Sequence, residues 1–190
     1  MTVIRSQLIG TGYKLPAKIL TNADLSKMVE TNDEWISTRT GIRSRHIAAE
    51  GETTCDLSYD AALTAIENAG IKNSEIDFVI VATVTPDNTF PATAAKLAKR
   101  LELNPGTPAM DVNAACSGFV YASQIADNMI RLGQVKTALV IGAETLSKIT
   151  DWTDRNTCVL FGDGAGAAIF RAAEGTGDSS DTGILATKIY

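Results

Sequence analysis

The chain has a single histidine, no basic excess and no long apolar run, and each shortage excludes a class of protein. Its 17 basic residues face 22 acidic ones, and a net charge of −5 does not suit nucleic-acid binding. The longest apolar runs, at 78–82 and 138–141, fall far short of the ~20 residues that cross a bilayer. The N-terminus lacks the apolar core of a signal peptide. We therefore expect a cytoplasmic protein that binds neither nucleic acid nor membrane.

Cysteine is also scarce, and its spacing excludes two further kinds of site. Cys55, Cys116 and Cys158 are odd in number and lie far apart in the sequence. This pattern fits neither a disulfide framework nor the close cysteine pairs of a zinc site. We expect three reduced thiols and no bound metal.

What the chain does have is length and an alternating pattern of helices and strands. With 190 residues, 45% of them hydrophobic, it can form one large domain. The patterns predict helices at about 22–30, 33–39, 54–69, 92–101 and 117–132, and strands at 4–10, 76–83, 109–113 and 137–142. Such repeats imply an α/β protein with a mostly parallel sheet covered by helices. A polar loop at 174–181 and a strand-like tail at 183–190 follow.

Cys116 lies where a predicted strand ends and a predicted helix begins. A helix N-terminus presents unpaired N–H groups and a partial positive charge, which favours the nucleophilic thiolate. Ala114, Ala115 and Gly118 are small, so a carbonyl substrate can reach both the sulfur and the neighbouring N–H groups. These features indicate a catalytic nucleophile. The alternative is a packed core cysteine, the usual fate of this residue type.

Two other features have both a functional and a structural interpretation. Residues 161–167 match the glycine spacing of a dinucleotide-binding loop, but the extended segment 168–170 follows where that loop requires a helix. A tight turn between strands is the better interpretation. His46 is the only histidine and lies far before Cys116; a lone histidine is more often a surface or packed residue than a base. We expect the base that serves Cys116 to lie outside these 190 residues.

Trp35 and Arg39 are one helical turn apart, so an aromatic plate and a guanidinium share one helix face. An adenine ring and a phosphate would suit this pair.

Six segments together carry a family resemblance: 22–25, 31–36, 38–46, 114–119, 151–155 and 161–167. They resemble the β-ketoacyl-acyl carrier protein synthase III family, the initiating condensing enzymes of bacterial type II fatty-acid synthesis. The context of Cys116 alone would also fit other members of the thiolase superfamily, but the Asp-Glu-Trp and Gly-Ile-Arg segments point to this family. The resemblance implies a thiolase-like α/β fold, an αβαβα sandwich of two similar halves, with this chain as the first half. It also implies a homodimer.

The resemblance assigns the chemistry and the substrates. Cys116 would accept the acetyl group of acetyl-CoA as a thioester, and malonyl-acyl carrier protein would then decarboxylate to supply the attacking carbanion. No cofactor would remain bound, because the CoA thioester is a substrate. Trp35 would stack on the CoA adenine with Arg155 on its opposite side, and Arg39 and Thr31 would lie near the nucleotide.

The resemblance also assigns an acyl pocket. Phe90 would cross the dimer interface toward the partner's pocket, and Leu146, Val159 and Leu160 would line that pocket and influence primer length.

One departure from the family is large. The family completes its site with a histidine and an asparagine, in His-Gln-Ala-Asn and Gly-Asn-Thr-Ser motifs, and neither motif occurs here. We therefore predict that residues 1–173 form the half that carries the nucleophile, and that residues 174–190 are a loop and strand leading to a C-terminal half. The alternatives are a truncated, non-catalytic half that binds CoA or a partner, and a related acyltransferase of the thiolase superfamily.

Overall fold

A computed structural model describes residues 2–189 as a five-stranded mixed sheet with helices on both faces and a two-stranded sheet beside it. In chain order the elements are β1 (Val3–Lys14), β2 (Lys18–Thr21), α1 (Asn22–Leu25), α2 (Asp33–Thr40), β3 (Ser44–Ile47), α3 (Thr54–Ala69), β4 (Phe78–Ala82), α4 (Thr93–Arg100), β5 (Ala109–Val112), α5 (Gly118–Arg131), β6 (Thr137–Thr145) and β7 (Asp163–Gly175). Short 3₁₀ turns lie at Asn73–Glu75, Ala115–Ser117 and Leu146–Lys148. Within residues 2–189, every helix is too short or too polar to cross a lipid bilayer.

The large sheet has the strand order β1-β7-β6-β4-β5. Strand β4 is parallel to β5 and β6, whereas β7 is antiparallel to both β6 and β1. The prediction of a mostly parallel sheet is therefore wrong for its β1–β7 side. Parallel neighbours need a long crossover, usually a helix, and the segment between β6 and β7 supplies only a 3₁₀ turn and a loop.

Helices α3 and α4 cover one face of the large sheet, and α5 covers part of the other. All five residues of β4 are buried, as expected for a central parallel strand with a continuous apolar sequence. Helix α3 packs directly on the backbone of β1 at Gly10 and Gly12. A Cβ atom at these positions would lie 2.4 Å and 2.3 Å from carbonyl oxygens of α3, so only glycine permits this approach.

The predicted helices are present, with one correction. Helix α2 begins after the cap Asn32 and ends at Gly41, whose φ is +73°, as predicted. Helix α1, however, is capped by Thr21 and ends at Leu25. The Asn22 side chain instead donates to the side chain of Asp33 and to a backbone carbonyl, each at 2.8 Å, so the prediction of a helix capped by Asn22 and reaching Glu30 is wrong.

Two other predictions also change. Gly164 and Gly166 lie inside β7 rather than in a tight turn, because the glycine-rich segment pairs with β6. The tail forms no strand among its described residues, and Tyr190 lies outside them. It folds back along β1, where the Ile184 N–H donates to the Ser6 carbonyl at 2.9 Å and Arg5 pairs with Asp181 at 2.8 Å.

Candidate active site

Cys116 lies in the middle of the 3₁₀ turn that links β5 to α5, and its side chain is exposed. The preceding residue, Ala115, has a φ of +46°, which is unusual for a residue with a Cβ atom. Such backbone strain costs about 1–3 kcal/mol and is concentrated at active sites. The turn that carries the thiol therefore has a backbone conformation that an ordinary helix N-terminus does not need.

Small residues and one carboxylate fix this corner. Asp111 at the end of β5 accepts the N–H groups of Thr93 and Ala94 at 2.7 and 2.8 Å, which ties the strand to the start of α4. At Gly118 an added Cβ would lie 3.1 Å from the Cβ of Ala82, so glycine lets α5 begin directly above the end of β4. The sequence thus places the thiol at the carboxyl ends of the parallel strands, where α/β proteins bind ligands.

A cavity of about 390 Å³ opens beside the thiol. Its lining is mostly apolar or small and comprises Ala82, Val84, Ala115, Cys116, Phe119, Gly142, Ala143, Glu144, Leu146 and Phe161. Glu144 is the only carboxylate among these residues. An apolar cavity with a nucleophile at its wall suits an acyl group bound as a thioester.

The other two thiols are not accessible. Cys55 is 5% exposed and Cys158 is fully buried. Burial raises the pKa of both thiols, and the nearby carboxylates of Asp87 and Asp154 respectively raise it further. The interpretation as a packed core cysteine therefore fits Cys55 and Cys158, and the exposure of Cys116 sets it apart.

The residues predicted for the acyl pocket are only partly brought together. Leu146 lines the Cys116 cavity. Val159 is buried in a separate apolar cluster and Leu160 is 45% exposed, and both lie outside the lining of that cavity. Phe90, predicted to reach the partner's pocket and not this one, is 88% exposed. Sequence reasoning missed the lining residues that follow β4 and end β6. They could have been found from the rule that the carboxyl ends of parallel strands meet at one edge of a sheet.

Three of the four residues predicted to bind CoA, Trp35, Arg39 and Arg155, come together. The guanidinium carbons of Arg39 and Arg155 lie 4.6 and 5.0 Å from the centre of the Trp35 ring, both within cation–π distance. The hydroxyl of Thr31 is buried and has no hydrogen-bond partner among the described residues. The cluster offers an aromatic plate and two cations.

The loop that carries Arg155 is held by carboxylates in tight turns. Asp151 accepts the backbone N–H and the hydroxyl of Thr153, and Asp154 accepts the hydroxyl of Thr157. Hydrogen bonds from Thr153 and Thr157, respectively, lower the pKa of the two aspartates. The indole N–H of Trp152 donates to the Ser147 carbonyl at 3.1 Å. These contacts place Arg155 beside Trp35 although the loop has no regular secondary structure.

His46 lies on β3 in the small sheet and is not among the residues that line the Cys116 cavity. Its Nδ1 is 2.6 Å from the Pro16 carbonyl oxygen. Residues 2–189 contain no cluster of three or more His, Cys, Asp or Glu side chains suited to a metal ion.

Comparison with known proteins gives one consistent family. The family model for 3-oxoacyl-[acyl-carrier-protein] synthase III matches residues 110–189. The chain is 62% identical over 188 residues to the beta-ketoacyl-[acyl-carrier-protein] synthase III of Paramagnetospirillum magneticum, covering 99% of this chain and 58% of the relative. The protein of the same name from Rhodospirillum centenum is 59% identical, covering 98% of this chain and 57% of the relative.

Solved structures agree. The 3-oxoacyl-[acyl-carrier-protein] synthase III of Aquifex aeolicus superposes with a TM-score of 0.85 at 49% identity, covering 93% of this chain and 55% of the other. The Pseudomonas aeruginosa enzyme gives 0.84 at 40% identity, covering 93% of this chain and 53% of the other. The predicted resemblance and the thiolase-like α/β fold are confirmed. The chain spans little more than half the length of these proteins.

Proposed function

Because the chain belongs to the 3-oxoacyl-[acyl-carrier-protein] synthase III family, we propose that it is the nucleophile-bearing N-terminal half of an acyltransferase that initiates fatty-acid synthesis. The observation that carries this proposal is the exposed Cys116 thiol, which lies on a strained corner and lines an apolar cavity. The reaction has two steps, acyl transfer to the thiol and a decarboxylative condensation.

In the first step the Cys116 sulfur attacks the carbonyl carbon of acetyl-CoA. The bond between that carbon and the CoA sulfur breaks, CoA leaves as its thiol, and the acetyl group remains as a thioester on Cys116. The small neighbours Ala115 and Gly118 leave room for the tetrahedral intermediate. The apolar cavity beside the thiol would hold the acyl chain and exclude water from the thioester.

In the second step malonyl-acyl carrier protein loses CO₂, and the resulting carbanion attacks the acetyl carbonyl carbon. A carbon–carbon bond forms, the thioester bond to Cys116 breaks, and acetoacetyl-acyl carrier protein leaves. Negative charge on the malonyl thioester oxygen needs positioned donors during decarboxylation. In the family these are the histidine and asparagine of the two motifs absent from this chain, so we assign them to a C-terminal half.

The cluster at Trp35 would bind the nucleotide of CoA. An adenine ring stacked between Trp35 and Arg155 needs these two groups about 7 Å apart, twice the contact distance of carbon atoms. Arg155 lies 5.0 Å from the Trp35 ring centre, so adenine would replace this contact by moving the guanidinium outward. Arg39 then remains to bind phosphate.

The functional enzyme would be a homodimer. Strand β5 is at the edge of the large sheet, and its outer backbone groups have no neighbouring strand within residues 2–189. Such an edge can pair with a second copy. Acyl carrier protein would be the second substrate.

The test follows the two steps separately. The chain is incubated with acetyl-CoA, and peptide mass spectrometry locates the acetyl group; we expect it on Cys116 and expect none in Cys116→Ser. Acetoacetyl-acyl carrier protein formation is then measured with the chain alone and with a co-expressed C-terminal half. We expect condensation only with both halves, since each missing donor typically contributes about 10²–10³-fold. Condensation by the chain alone that is lost in His46→Ala would overturn this assignment, and failure to acylate Cys116 in the two-half protein would overturn the proposed function.

A further inference from the structure

Glu144 places a carboxylate in the otherwise apolar wall of the Cys116 cavity. It lies one residue before the end of β6 and is half-buried. A charge in such a position is costly unless hydrogen bonds compensate it. None of the roles assigned above uses this residue.

The carboxylate accepts three hydrogen bonds from the segment that follows β4. One oxygen accepts the backbone N–H of Val84 at 2.9 Å. The other accepts the hydroxyls of Thr83, at 3.3 Å, and of Thr85. Glu144 therefore binds three consecutive residues, and the middle one lines the cavity.

The hydroxyls of Thr83 and Thr85 each accept a backbone N–H group. Each must therefore donate its own proton to another acceptor. Thr145 donates to the Thr85 hydroxyl at 2.9 Å, and the Thr85 N–H donates to the Thr83 hydroxyl at 3.0 Å. The hydroxyls are 3.4 Å apart, so at most one proton could turn to the other hydroxyl. With a glutamine at position 144, the amide NH₂ group would face either the two threonine hydroxyls or the Val84 N–H. Either orientation would lose hydrogen bonds. The site thus requires a carboxylate and not merely a polar side chain.

A further contact ties the same segment to helix α3. The Thr54 hydroxyl donates to the Thr85 carbonyl at 2.6 Å and lies 3.0 Å from the Thr145 hydroxyl. Val84 is therefore held between two anchored threonines. Its side chain forms a fixed part of the cavity wall for as long as Glu144 is in place.

We propose that Glu144 is a positioning residue that fixes the Val84 wall of the cavity and thereby limits the length of the acyl group that Cys116 accepts. The inference rests on the proposed function, because it concerns the acyl group transferred to Cys116. Glu144 would limit the length of the acyl chain by holding Val84 in place through hydrogen bonds, and not by the volume of its own side chain.

The experiment compares two acyl donors on one thiol. In the full-length two-half protein, rates of Cys116 acylation by acetyl-CoA and by octanoyl-CoA are measured by mass spectrometry for the wild type, Glu144→Gln and Glu67→Gln. Glu67 is exposed on α3 and serves as the matched control. We expect the octanoyl-to-acetyl rate ratio to rise at least tenfold in Glu144→Gln and to stay at the wild-type value in Glu67→Gln. A general loss of stability would lower both rates and leave their ratio unchanged.

A second pair of variants keeps the test valid if Glu144→Gln fails to fold. Thr85→Val removes one hydroxyl donor at nearly constant shape and should also raise the octanoyl-to-acetyl rate ratio. Thr85→Ser keeps the hydroxyl, so its ratio should equal the wild-type value. An unchanged ratio in a folded Glu144→Gln, or in Thr85→Val, overturns the inference while the proposed function stands. Wild-type protein that accepts neither acyl group overturns both.

Discussion

The two regions that we propose to carry the nucleophile and to bind the nucleotide are built by different means, and we call them the nucleophile region and the nucleotide region. The nucleophile region consists of the ends of β4, β5 and β6, the turn at 115–117 and the start of α5; backbone conformation and small residues define it. The nucleotide region consists of α1, α2, β2, β3 and residues 151–160. Side-chain contacts between an indole, guanidinium groups and capping carboxylates define it, and its secondary structure is short.

The difference indicates how each region should respond to change. In the nucleophile region one backbone angle places the sulfur, so a residue that cannot adopt this angle should disturb the whole corner. In the nucleotide region each contact contributes part of the ligand affinity, so losses should be graded and should leave the chemistry intact.

Ala115→Val should have the largest effect, because a β-branched residue is strongly disfavoured at a φ of +46°. We expect Cys116 acylation by acetyl-CoA to fall by about 100-fold, which corresponds to about 2–3 kcal/mol of strain and misplacement. Rates from rapid-quench mass spectrometry provide the measurement.

Ala115→Gly is the matched control at the same position. Glycine adopts positive φ without penalty, so the corner should persist and the acylation rate should stay within a few-fold of the wild type. Equal rates in the valine and glycine variants would show that the backbone angle at 115 does not place the sulfur.

Trp35→Ala and Arg155→Ala should each weaken acetyl-CoA binding by about tenfold, because stacking of a base on an aromatic ring contributes about 1–3 kcal/mol. The KM for acetyl-CoA should rise, while the KM for malonyl-acyl carrier protein should not change. Arg43→Ala removes the same charge from an exposed neighbour and is the control. Wild-type CoA affinity by calorimetry in both variants would show that this cluster does not bind the nucleotide.

The sequence predicted the elements of the nucleophile region well because their signals are local. The continuous apolar run of β4 and the apolar spacing of α5 are each legible within a few residues. The caps Asn32 and Gly41 of α2, in the nucleotide region, are local signals too. The strand-to-helix corner at Cys116 followed from the same local patterns. The positive φ of Ala115 did not follow from these patterns, because an alanine in the sequence does not indicate a φ of +46°.

Features that depend on contacts distant in sequence were missed. The direction of β7 and the docking of the tail on β1 are set by pairings across most of the chain. The role of Asn22 changed because its partners lie on α2 and beyond it. The cavity wall at Val84 and Glu144 could be anticipated only after the strands had been ordered, since Val84 follows β4 and Glu144 lies on the neighbouring β6, 60 positions later. The resemblance supplied the CoA residues, which no periodicity reveals.

The smallest effect concerns acid, which should weaken the nucleotide region through its aspartates. Hydrogen bonds, first from Thr21 and then from Lys27, lower the pKa of Asp24 to about 2, and hydroxyl groups likewise lower the pKa of Asp151 and Asp154. An unfolded aspartate has a pKa of about 3.9. Because the folded pKa is the lower one, these carboxylates stabilise the fold fully above about pH 4. Their contribution is lost as the pH falls through the folded value of Asp24.

Tryptophan fluorescence can isolate this region, because both tryptophans of the chain, Trp35 and Trp152, pack against its apolar cluster. Between pH 4 and pH 2 we expect the fluorescence to change before the far-UV circular dichroism does. Asp24→Asn should reduce the fluorescence change in that window, because the substituted cap no longer titrates, whereas Asp60→Asn on α3 should leave it unaltered. If fluorescence and circular dichroism changed together in the wild type, the two regions would unfold as one unit, and the contrast between them would not extend to their stability.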